Sequence, residues 1–527
     1  MWNTRIPAMR NQALISLTVF GVGLWVAYEI GGKIAAEDVG SLEYAALGFS
    51  CCAAAVAILR NWRSGFYLFL LWLLFEDLVR KYMGNSLALF FGKDILCGLT
   101  YISLLVAIRN GRERAFRPPF LLFLSLFVWL GVLQIFNQNS PSVFYGLLGF
   151  KVYFFYMPLM FVGYALVRTD EDLRKLLVTN AGLAGLIALL GIIQAIVGHS
   201  FLNPTNLAPE LRGLGELDKV SPISNQVLSL PASVFVSAGR FAFYLILAVS
   251  LTLGTVGYLL LHSKRGRSVS FVAFGLVVAA TLFSGSRGCL IYGLASVLAL
   301  LAAFLWGAPW RWEQAHRILK AIRHSIIFGG LGLAGFLLLF PEAAAPRIAF
   351  YLETLLPSSS AYEVQTRTWE YPIENLLKAF NNPNWLLGNG IGTASLGMQY
   401  VAKLTGVRAA PIWVEQGFGQ LIVEMGILAP LLWLLWTGAL LYYGGQTVRR
   451  LRQTRFFPIA FAILWYAFLL LYPITYGGLP GYQNYINNAY LWLLVGVLFR
   501  LPQLQAADPG LTAIPSGRRA SRGGFQF

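Results

Sequence analysis

Ala279-Ala-Thr-Leu-Phe-Ser-Gly-Ser-Arg-Gly-Cys-Leu-Ile-Tyr292 lies where two apolar runs meet with almost no loop between them. The runs, at about 270–284 and 289–306, approach the ~20 residues an α-helix needs to cross a bilayer core. Together they read as a helical hairpin in lipid with Arg287 at its turn. A charged side chain at a membrane boundary needs a partner, water or a ligand. Gly285 and Gly288 allow close backbone approach, and Ser284 and Ser286 add hydrogen-bond donors.

The rest of the chain repeats the pattern. Of its 527 residues, 57% are hydrophobic and 12% charged, about half the charged share of a soluble domain. The ~10-residue alternating segments of a transmembrane β-barrel are missing. The fold expected is an all-α integral membrane protein. It has about 14 transmembrane helices, with 12–14 compatible with the apolar runs, near 13–31, 42–59, 64–79, 94–108, 118–136, 150–167, 176–197, 241–261, 270–284, 289–306, 325–341, 419–443, 457–475 and 482–500. Residues 1–500 form one polytopic domain on this reading. The first helix is retained and is not a cleaved signal. Residues 501–527, rich in Pro, Gly, Ser and Arg, form a disordered tail.

The net charge of +17 raises the question of nucleic acid. Its placement answers against it. Twenty-six of the forty Lys and Arg fall in connectors on one side, together with only six of the 23 acids. This is the positive-inside pattern, with both termini cytoplasmic. The opposite face carries two long polar intervals, 198–240 and 341–418, the second between the expected helices 11 and 12. Cys51, Cys52, Cys97 and Cys289 form no C-x-x-C pair, so neither a disulfide nor a zinc site is expected.

Ionisable groups near helix ends on that opposite face are the candidates for chemistry. Arg287 offers a planar fork suited to a phosphate oxyanion, against the alternative of snorkelling to the interface. Arg367 opens an amphipathic stretch, 364–380, that Pro372 is expected to kink. A cation in a first helical turn opposes the macrodipole, which an anionic ligand would offset; a solvated loop arginine is the plainer alternative. Arg240 ends the first interval and either joins the same cluster or anchors a helix end. Glu415 precedes a helix re-entering the membrane, where a carboxylate serves as a general base or simply favours the helix start. Glu424, further along that helix, reads as structural. Gly388-Asn-Gly-Ile-Gly392 reads as a turn, since it lacks the strand a phosphate loop requires. The chain has no G-x-S-x-G, H-E-x-x-H, Walker sequence or external D-x-D.

Ser284-Gly-Ser-Arg-Gly288, Arg367-Thr-Trp369 followed by Leu387-Gly-Asn-Gly-Ile-Gly392, and Val414-Glu-Gln-Gly-Phe-Gly-Gln-Leu-Ile-Val-Glu-Met-Gly426 occur in that order. In this order and topology the chain resembles the O-antigen ligase and polymerase superfamily of bacterial membrane glycosyltransferases, over roughly 235–443. The resemblance implies a GT-C-like fold in the bacterial inner membrane and a polyprenyl-diphosphate-linked glycan as donor. It also implies inverting transfer on the external face with no cofactor and no metal. Arg287 and Arg367 take the family's diphosphate-binding positions, with Ser284, Ser286 and Trp369 in support and Arg240 as a further candidate. Ligases carry a histidine where this chain has Glu415, which favours a polymerase of O-antigen, capsule or exopolysaccharide units. A chain-length regulator and a flippase are the partners such an enzyme would have. Transfer to a lipid or protein acceptor stays open as the alternative. A lipid-linked glycan transporter is disfavoured, because charge is missing from most helix centres.

Overall fold

A computed structural model describes residues 53–507, apart from 54, 86, 263–264, 308–338 and 410–413 and the side chains of 87, 88, 210 and 262. The expected helix at 13–31, and most of those at 42–59 and 325–341, lie outside these residues. The chain is mostly helical, and eight of the described helices are long and apolar enough to cross a membrane. This is a multi-pass membrane protein.

The helices in chain order begin with α1 (Trp62–Met83), α2 (Leu87–Arg109), α3 (Leu121–Ile135), α4 (Val143–Phe154), α5 (Leu159–Leu166) and α6 (Asp170–Val197). A short α7 (Pro209–Gly215) precedes strands β1 (Leu217–Val220) and β2 (Val227–Leu230). Then come α8 (Ala238–His262), α9 (Arg267–Phe283), α10 (Arg287–Gly307), α11 (Pro341–Leu355), α12 (Tyr371–Phe380) and α13 (Met398–Thr405). The chain closes with α14 (Gly417–Met425), α15 (Leu428–Arg450), α16 (Phe457–Leu469) and α17 (Tyr485–Ala506).

Two compact units divide the described residues. The smaller runs from the start of the described chain to Trp72 and includes Phe91–Val106. There Gly65 admits Ile58 so closely that a Cβ would stand 2.3 Å from its side chain. The larger unit contains Leu73–Phe90 and everything from Ala107 onward. Its centre is α8, 89% of whose apolar span is buried. It packs on α6, α9, α10 and α16. Between α5 and α17, small residues replace bulky ones at the contact: a Cβ on Gly163 would meet Leu493 O at 2.0 Å, and one on Gly496 would meet Met160 O at 2.0 Å. Close backbone approach of this kind holds helices together where lipid supplies no hydrophobic drive.

Several boundaries differ from the sequence reading for identifiable reasons. The run at 419–443 is two helices, broken at Gly426 (φ +78°), where the backbone passes Leu386 O. The run at 150–167 begins at Val143 and is interrupted before Pro158, which cannot donate to a preceding turn. The tail reading starts too early, since α17 continues to Ala506 with Leu501 and Leu504 buried.

The described residues of both polar intervals are folded. Interval 198–240 contains α7 and an antiparallel hairpin pairing Leu217 with Leu230 and Lys219 with Leu228. Interval 341–418 opens directly into α11 and continues through a π turn (Thr366–Glu370) into α12. The expected kink at Pro372 is instead this π turn. A proline ring crowds the carbonyl four residues back, and the wider turn makes room for it.

Candidate functional site

The α9–α10 turn is built from short local contacts. Ser284 Oγ donates to Thr281 O (2.8 Å) and accepts from Ser286 N (3.2 Å). Ser286 Oγ accepts from Cys289 N (3.4 Å) and so caps α10. Gly285 takes the left-handed conformation (φ +64°) with Leu228 and Leu230 against it. Both serines thus shape the turn, and Arg287 is left at the first helical position of α10.

Arg287 Nη1 donates to Glu363 Oε2 at 2.7 Å. Arg367 Nε donates to the same oxygen at 3.4 Å. The structure therefore brings both arginines onto one carboxylate, 76 residues from Arg287 in sequence. Each cation sits at a helix start, where the macrodipole is positive, and Glu363 offsets that. Glu363 is itself fixed by its backbone N–H, which donates to Thr354 O at the end of α11 (3.2 Å).

A third cation joins them. The Lys219 ammonium lies 5.3 Å from the Phe350 ring centroid, and the Arg287 guanidinium lies 5.2 Å from the same centroid. Both are within cation–π range. Burial, then the nearby Arg287 and Arg367, hold the Lys219 ammonium below its ordinary pKa. Phe350 is buried on α11 with Leu228 and Leu230. Arg347, also buried on α11, donates to Ser229 O (2.9 Å) and Phe283 O (3.0 Å), tying the hairpin to the end of α9. Burial lowers the Arg347 pKa to about 10.

Glu415 connects on the other side. The Arg367 guanidinium stands 5.5 Å from the Tyr371 ring centroid. The nearby Glu415 carboxylate is the main reason the Tyr371 hydroxyl pKa is raised. Glu415 N donates to Asn375 Oδ1 (3.3 Å), and Gln416 caps α14 through Gly419 N (2.5 Å). A line of contacts therefore runs Lys219, Phe350, Arg287, Glu363, Arg367, Tyr371, with Glu415 near its end.

Arg240 lies elsewhere. Its Nη1 grips Asp77 at 2.9 and 2.7 Å, and its guanidinium stacks on Tyr485. Asp77 also accepts from Arg80 (3.1 Å) and Val236 N (3.2 Å). The helix-end anchor is thus the role its contacts describe. Trp369 is exposed and begins an apolar stripe with Ile373, Leu377 and Phe380, spaced for one helical face. His199 pairs with Asp218 at 2.9 Å. Asp218 precedes Lys219 on β1, and neighbours on a strand face opposite ways, so this pair points away from the cations.

Sequence reasoning missed Lys219, Glu363 and Tyr371. The i,i+4 spacing of Glu363 and Arg367 was the available signal for one of them. The short alternating runs Leu217-Asp-Lys-Val220 and Val227-Leu-Ser-Leu230 were the signal for the hairpin. Set against protein-family models, curated proteins and solved structures, the chain matches none of them.

Proposed function

We propose that this protein is a membrane glycosyltransferase that polymerises polyprenyl-diphosphate-linked oligosaccharide repeat units. The polymer would be O-antigen, capsule or exopolysaccharide, made on the external face of the bacterial inner membrane. The observation that carries the reading is the convergence of Arg287 and Arg367 on one carboxylate oxygen, with Glu415 one tyrosine away. Fixed positive charge is what a departing diphosphate requires. The apolar stripe from Trp369 to Phe380 supplies adjoining surface for a prenyl chain.

In the reaction, an acceptor hydroxyl oxygen attacks the anomeric carbon of the donor sugar. The bond from that carbon to the diphosphate oxygen breaks, and the electron pair leaves with the polyprenyl diphosphate. Glu415 takes the hydroxyl proton. The clustering of basic residues in one set of connectors supports an external position for interval 341–418 and cytoplasmic termini.

The variants Arg287→Ala and Arg367→Ala should each abolish polymer in cells while the protein still reaches the membrane. Long-chain polysaccharide persisting in both would sink the diphosphate role. A single glycan transferred to a lipid or protein would identify a ligase instead.

A further inference from the structure

Two arginines meet a single carboxylate at this site, with Lys219 beside them. The ion pairs of Arg287 and Arg367 both end on Glu363, and Lys219 shares the Phe350 ring with Arg287. Lys219, Arg287, Arg367 and Glu363 by themselves carry a net charge of +2. Lys219 is not a chance surface lysine. Its strand is held by pairing with β2, by the buried Phe350 and by the grip of Arg347 on Ser229 O. Its ammonium is thus positioned before any ligand arrives, at the cost of burial beside two like charges. Glu363 is more weakly committed. It is 38% exposed and sits on the segment leading into the π turn. A carboxylate presents the same kind of acceptor oxygens to an arginine as a phosphate does.

We infer that Lys219 is the third cation of a diphosphate-binding site with Arg287 and Arg367, and that Glu363 is the resident counter-ion the diphosphate displaces. Once Glu363 is displaced, the two negative charges of the diphosphate sit against three cations, and the two arginine forks with one ammonium provide donors for both phosphate groups. Identifying the diphosphate as that of a lipid-linked donor rests on the transferase reading; the anion site itself does not.

The test is binding of inorganic pyrophosphate, and in parallel farnesyl diphosphate, to the purified full chain in detergent, with thermal melting as the check on folding. The expected result is that Lys219→Ala weakens binding about tenfold, the worth of one charge-assisted hydrogen bond. Lys219→Arg should restore it, and Glu363→Gln should tighten it by a similar factor. Because Lys219 loses its charge at lower pH than a free lysine, the advantage of Lys219→Arg over wild type should grow as pH rises. Tighter binding of farnesyl diphosphate would mark a lipid-linked ligand, and equal affinity would mark the free anion. Two results would overturn the inference: unchanged affinity in a folded Lys219→Ala variant, or weaker affinity in Glu363→Gln. Loss of binding in Lys219→Ala alongside a wild type that extends no glycan would overturn the transferase reading and leave the anion site standing.

Discussion

Glu415 is the residue on which the proposed chemistry depends most. Its carboxylate lies near enough to Tyr371 to raise the tyrosine's pKa, and its backbone N–H is held by Asn375. A base of this kind works only if its oxygen stays aimed at the acceptor. Glu415→Gln should therefore cost activity severely, by about 10²–10⁴-fold in chain extension. Tyr371→Phe, which removes only the hydroxyl beside Glu415, should cost about tenfold with membrane insertion intact. Full activity in Glu415→Gln would remove this residue from the base role. Glu415 became a candidate from its place just before the apolar helix α14. Tyr371 and Glu363 were not, because their partners are far away in sequence and nothing local announces the pairing.

Among the elements, α14 and the glycine run before it form the rigid floor of the long interval. Glu424 is fully buried on α14. Its carboxylate accepts from Tyr153 Oη (2.7 Å), Ser395 Oγ (2.8 Å) and Ala394 N (2.9 Å). Gln134, Asn137 and Asn139 donate to the carbonyls of Leu387 and Gly388 from the end of α3 and just beyond. Gly392 (φ +93°) runs so close to α4 that a Cβ would stand 2.0 Å from Tyr145 O. Glu424→Ala leaves several buried donors unpaired and should destabilise the protein by about 2–3 kcal/mol. Glu424→Gln keeps an acceptor and should cost less, as thermal unfolding in detergent will show. The turn at Gly388–Gly392 was readable from its glycines, and Glu424 as a structural residue from its position. The π turn at Thr366–Glu370 was not, since a proline in a helical pattern announces a disturbance without saying which kind.

Over the whole molecule, what could be read early was what lipid dictates. Apolar runs mark helices because a backbone in a bilayer must satisfy its own hydrogen bonds. The hairpin at Ser284–Cys289 stood out because two such runs leave it no room to be anything else. The polar intervals resisted reading for the opposite reason. The β1–β2 hairpin has four residues per strand, too little to declare itself, and it is held by Phe350 and Arg347 from a distant helix. The site assembles from both intervals and the hairpin between α9 and α10, so no single stretch of sequence contains it. Chain extension by the purified protein in liposomes, supplied with lipid-linked repeat units and read on a gel, tests this assembly most directly. The expected result is a ladder of products from the wild type and none from Arg287→Ala or Arg367→Ala. A ladder from either arginine variant matching that of the wild type would contradict the account.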